Sequence, residues 1–118
     1  NADYGGGGRK IFRRKQKIEE GTIEAIKVPM QVALTSKEAL DKLDLIVQYG
    51  NKNTLSDIGV SALMISAGIE GAILNVKINI PGLLNEEERV DYISAVNEIL
   101  ESTHQKRDSI LIKIHNKL

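Results

Sequence analysis

The sequence has no cysteine and no tryptophan, two prolines, and aromatic residues at only 3% of its 118 positions. Without cysteine there are no disulfides, no thiolate metal sites and no cysteine nucleophile, a pattern that fits a reducing cytoplasm. With so few aromatics, any core must be built from Ile, Leu, Val and Ala. An excess of charge of either sign is also missing. Sixteen basic residues face sixteen acidic ones, so there is no global pull toward nucleic acid or anionic lipid, and neither is expected as a partner. No signal peptide is expected, because the early basic run is followed by acids rather than by an apolar stretch. What is present is ordinary globular material, 42% hydrophobic and 27% charged, in a length that suits one domain.

Residues 1–8, NADYGGGG, read as a flexible lead, because four consecutive glycines do not hold a regular element cheaply. Residues 9–118 read as a single helical domain. RKIFRRKQKIEE is a first helical stretch, which Gly21-Thr22 can interrupt. Pro29 is expected to kink or end the helix that reaches it. From Met30 to Tyr49 the signal is strong: Val32, Ser36, Ala39, Leu40, Leu43, Ile46 and Val47 recur on one face. Gly50 is a stop, and Thr54 or Ser56 is the expected cap of the next helix. That helix should end near Asn79, ahead of Pro81-Gly82. Asn85 and three glutamates open a last helix, with Val90, Ile93, Val96 and Leu100 as its core stripe. ILIKI at 110–114 alternates like a strand, but no second strand exists to pair with it, so helix is expected. The fold class is all-α, an array of four to five helices.

Between Ile58 and Val76 the only charged residue is Glu70. The segment is borderline in length for a membrane span and carries Ser61, Ser66, Glu70 and Asn75. It reads instead as a soluble helix buried on all sides. On a helical wheel Asp57, Ser61, Met64, Gly68, Gly71, Ala72, Asn75 and Asn79 share one side, small and amide-bearing, with a carboxylate at its top. Two readings fit that side. Glycines let another helix approach closely, or they floor a shallow ligand groove walled by Asn75, Asn79 and Asp57. Glu70 lies opposite and needs a partner or a proton, with a Lys or Arg expected. The Gly5–Gly8 run lacks the lysine and preceding strand of a phosphate loop. The basic cluster Arg9, Lys10, Arg13, Arg14, Lys15 and Lys17 reads as a solvated face, with a polyanionic tail as its alternative. His104 and His115 lie about 16 Å apart along a helix and do not share a metal within one chain.

GNKNTLSDIGVSALMISAGIEGAILNVKINIPGL resembles the cyclodeaminase domain of formiminotransferase-cyclodeaminase and the related methenyltetrahydrofolate cyclohydrolase-like proteins. The matching positions are Gly50, Asn51 and Asn53; Ser56, Asp57, Gly59 and Val60; Glu70, Gly71 and Ala72; and Asn75, Val76, Ile78 and Asn79. Val28 and Pro29 are similar to the family's Val-Pro segment, and the resemblance spans roughly residues 18 to 100. It implies a self-associating helical fold, a homodimer or larger, and one-carbon folate chemistry on a tetrahydrofolate derivative with no metal or redox cofactor. It points to Asp57 as the catalytic carboxylate and to Asn53, Ser56, Asn75 and Asn79 as substrate-binding residues. The family's Pro-Gly-Gly-Gly-Ser motif is not found upstream of Gly50, where YGGGG stands instead. The alternative is therefore a non-catalytic helical oligomerisation module that keeps the fold without a complete site.

Overall fold

A computed structural model describes residues 2–118, with side chains from Gly7 onward. Three long helices make up the chain: α1, Ala2–Ile46; α2, Lys52–Asn79; and α3, Glu86–Lys117. Short 3-10 turns at Val47–Tyr49 and Ile80–Gly82 end the first two, and there is no strand among the described residues. The expected four to five helices are thus three, because neither Gly21 nor Pro29 breaks α1. Thr22 Oγ1 donates to the Ile18 carbonyl at 2.9 Å, and the helix runs on through Gly21. Across Pro29, buried Ile26 and Ala33 lie on either side of the residue. Packing at these two positions offsets a proline penalty of about 3 kcal/mol. Most of the lead expected over residues 1–8 lies outside the side chains described; Gly7 and Gly8 belong to α1.

The boundaries between helices follow capping chemistry. Gly50 stops the first turn in an extended conformation, φ −77° and ψ 141°. The cap of α2 is Asn51, not Thr54 or Ser56. Its side chain accepts from the Thr54 N–H at 3.0 Å, an interaction of about 1 kcal/mol. Asn85 caps α3 in the expected way, accepting from the Glu88 N–H at 3.0 Å, and the acidic first turn suits the helix dipole. ILIKI lies in α3, which runs unbroken to Lys117.

The core is a heptad lattice. On α1 the buried positions are Ile26, Ala33 and Leu40, continued by Val47 in the turn that follows, each seven residues from the last. On α2, Leu55, Ala62, Ile69 and Val76 form one such row, and Gly59, Ser66 and Ile73 form a second beside it, continued by Ile80 in the turn that follows. On α3, Val96, Thr103 and Ile110 continue the scheme. This spacing is that of left-handed coiled-coil packing. At Gly59 α2 and α3 approach closely, since a Cβ there would meet Ile114 Cδ1 at 3.3 Å.

Helix direction alternates, so α1 and α3 run parallel. Glu19 Oε2 accepts from the Leu84 N–H at one end. Toward the other, Lys113 Nζ donates to Asp44 at 3.0 Å and Lys117 Nζ donates to the Gln48 carbonyl. Lys106 lies between Asp41 and Asp44, at 3.7 and 3.5 Å. The molecule measures 77 × 21 × 17 Å. Its length comes partly from α1, whose residues Gly7 to Ile18 are all exposed and project past the bundle. The basic cluster lies on this projection, as a solvated face.

Two stripes differ from expectation. On α3, Val90 and Ile93 are exposed and Leu100 is half-buried, while Val96, Ile99 and Thr103 carry the contact. More consequentially, α2 is not buried on all sides. A bundle of three gives each helix two neighbours, so one face of α2 remains open. Val60, Leu63, Met64, Leu74 and Ile78 are each at least half exposed along it. By length and composition Lys52–Gly82 is apolar enough to cross a membrane, and 39% of its apolar window is buried within the chain.

Candidate functional site

The small-residue side of α2 does not touch another helix through its glycines. A Cβ on Gly68 or Gly71 would meet nothing within 4 Å. These two positions instead floor a groove of about 850 Å³ between α1 and α2. Helix α1 lines it with Glu24, Ala25, Val28, Pro29 and Val32; α2 adds Gly68, Gly71, Ala72, Leu74, Asn75 and Asn79. Of the two readings of this stripe, the open groove is the one found, and Gly59 performs the close approach.

Local folding sets each wall. The i, i+3, i+4, i+7 steps from Gly68 to Gly71, Ala72 and Asn75 put these residues on one side of α2. Asn79 is held back toward its own helix, where its Nδ2 donates to the Asn75 carbonyl at 2.8 Å. On α1, Glu24 is the groove's single ionisable group. Its neighbour on the helix is Lys27, 3.8 Å away in an exposed pair. Such pairs contribute little, about 0.3–0.5 kcal/mol.

The groove brings together Asn75 and Asn79 but leaves out Asn53, Ser56 and Asp57. The last three are exposed at the start of α2. Asp57 is on the same side of α2 as Gly68, about 16 Å further toward the helix start. The wall that Asp57 was expected to supply is supplied by Glu24, a residue of a different helix. Sequence spacing along α2 carries no information about Glu24, which the α1–α2 packing brings into place. The Val28-Pro29 pair was the one signal that pointed to this part of α1.

Glu70 has a partner, and it is neither Lys nor Arg. His104 Nε2 lies 2.8 Å from Glu70 Oε1, joining α2 to α3 across a half-exposed seam. The pair is on the far side of α2 from the groove. Among the described residues no three His, Cys, Asp or Glu side chains gather closely enough to hold a metal ion. Thr103 is fully buried, and its Oγ1 has no hydrogen-bond partner.

Fold and site together define an all-helical bundle with an amide-walled groove at a helix–helix seam. The chain belongs to the formiminotransferase-cyclodeaminase family, whose model matches residues 9–104. It is 37% identical over 70 residues to methenyltetrahydrofolate cyclohydrolase of Methylorubrum extorquens, covering 59% of this chain and 34% of that protein. It is 27% identical over 105 residues to formimidoyltransferase-cyclodeaminase of Gallus gallus, covering 89% of this chain and 19% of that one. The enzyme of the same name from Rattus norvegicus is 34% identical over 74 residues, 63% of this chain and 14% of its own. The chain therefore spans about a third of the first of these relatives and less than a fifth of the other two.

Proposed function

We propose that this chain contributes a folate site for one-carbon transfer, acting on a formimino- or methenyl-tetrahydrofolate in an assembly with a second copy. The observation that carries this is the groove between α1 and α2. Its amide wall, Asn75 and Asn79, lies within residues 9–104, which the family model matches. The reaction is redox-neutral. In 5-formiminotetrahydrofolate, N10 attacks the formimino carbon, the bond from that carbon to its nitrogen breaks, and ammonia leaves with a proton. The methenyl product is a cation. It is stabilised by fixed carboxylates and oriented amides near the developing charge, and no redox cofactor takes part. In the hydrolytic direction water attacks the same carbon, and the same charges apply.

Asp57 is the proposed catalytic carboxylate, with Asn53 and Ser56 beside it on the first turns of α2. Asp57 lies on the same side of this helix as the groove, about 16 Å from Gly68 toward the helix start. The open face of α2 supports the assembly, because an uncharged patch of this extent marks an interaction surface. A cytoplasmic setting agrees with the absence of cysteine. The catalytic reading is preferred to a non-catalytic module because the groove is open rather than filled by packing.

Asp57→Asn removes the charge and keeps the shape. Because the cap of α2 is Asn51, Asp57 has no capping duty to confound the result. Turnover of 5-formiminotetrahydrofolate should fall at least about tenfold, or 1.4 kcal/mol, with an unchanged melting temperature. Unaltered turnover in the variant would remove Asp57 from the mechanism.

A further inference from the structure

Pro29 lies in the middle of a 45-residue helix, where it is among the least favourable residues a helix can hold. It has no N–H, so the carbonyl four residues earlier receives no helical hydrogen bond. That carbonyl belongs to Ala25. Ala25, Pro29 and Glu24 all line the groove, while the groove's opposite wall is glycine and amide. Two acceptors, a backbone carbonyl without its helical hydrogen bond and the exposed carboxylate of Glu24, which is paired with Lys27, therefore sit on consecutive residues at one wall. No cation lines the groove with them, since Lys27, the ion partner of Glu24, is outside its lining.

We infer that Pro29 and Glu24 make this wall an acceptor edge for a flat ligand that presents N–H donors or positive charge, of the aminopyrimidine or amidinium class. The inference deepens the folate reading by naming the part of the substrate that this wall receives. The bare surface at Gly68 and Gly71 admits a planar ring, since no Cβ stands in its way. Val28, Val32 and Leu74 supply apolar contact to the ring faces. The Glu24 carboxylate pairs with a donor edge, and the Ala25 carbonyl accepts a second N–H beside it. The helix-breaking residue is retained because the carbonyl it frees is used by the ligand.

The test is Pro29→Ala, with Glu24→Gln beside it, in the whole chain. Two probes are titrated and followed by the amide NMR signals of Gly68, Gly71 and Asn75: 2,4-diaminopyrimidine, and 5,10-methenyltetrahydrofolate. Pro29→Ala restores an N–H to the Ala25 carbonyl, so it should raise the melting temperature and yet weaken both probes at least about fivefold. Glu24→Gln should weaken both to a similar degree with an unchanged melting temperature. A merely structural proline gives the rise in melting temperature without the loss of binding, and that result overturns the inference. Diaminopyrimidine binding that depends on Pro29 and Glu24, with no binding of the folate, upholds the acceptor edge and removes the folate reading. Folate signals that move at Asn53 to Asp57 and ignore both substitutions do the reverse. Wild-type protein that binds neither probe overturns both.

Discussion

Gly68 and Gly71 are helix-interior glycines that no feature of this chain requires. Neither has a positive φ among the described backbone, and neither is pressed by a neighbour, since a Cβ at each would find empty space. Glycine in such a position weakens a helix by about 1 kcal/mol relative to alanine. Gly68→Ala and Gly71→Ala should each therefore stabilise the isolated fold by up to about 1 kcal/mol, and the double variant by about 2. Over 118 residues the unfolding entropy is about 250 cal/mol/K, so the double variant should melt about 8 °C higher. Thermal unfolding followed by circular dichroism at low protein concentration measures this. A double variant that melts below the wild type would refute the reasoning, because it would mean these positions are already in close contact in solution. If the expected rise is found, the glycines leave room for something outside the chain, a ligand or a second copy.

Thr103→Val replaces a buried hydroxyl that has no partner by a methyl group of nearly the same shape. It should stabilise by about 1 kcal/mol in chemical denaturation with an unchanged slope, and a destabilised variant would mean that the hydroxyl is satisfied. The open face of α2 leads to an expected dimer or larger assembly in light scattering. Met64→Lys, at a position 69% exposed, should return that assembly to monomer without loss of helicity. A wild-type chain that is a folded monomer at micromolar concentration would contradict the association.

Much of the fold is legible in local chemistry. Gly50, Pro81 with Gly82, and Asn85 before three glutamates mark both connections between helices, and each is found where these residues put it, although the cap of α2 is Asn51 rather than the expected Thr54 or Ser56. Pro29 was misleading because local propensity is weaker than the packing at Ile26 and Ala33. The α3 stripe was half wrong for a related reason. Val90, Ile93 and Leu100 lie to one side of Val96, and Ile99 and Thr103 to the other; of the expected stripe Val96 is fully buried and Leu100 packs partly against the core. Only the position of α1 and α2 decides which side is covered. Asn75 and Asn79 were legible as groove-lining residues because they share a helix face with two glycines. Glu24 was not, nor was the pairing of Glu70 with His104, because both depend on contacts between helices distant in sequence.

The central claim is that the groove between α1 and α2 holds the folate. Gly68→Leu tests it most directly, since the position has room for a side chain and the new one would fill the groove floor. Titration of wild type and variant with 5,10-methenyltetrahydrofolate should show the variant fully helical, at least as stable, and weakened at least about tenfold in binding. Equal affinity for the folate in a folded Gly68→Leu chain would contradict the account.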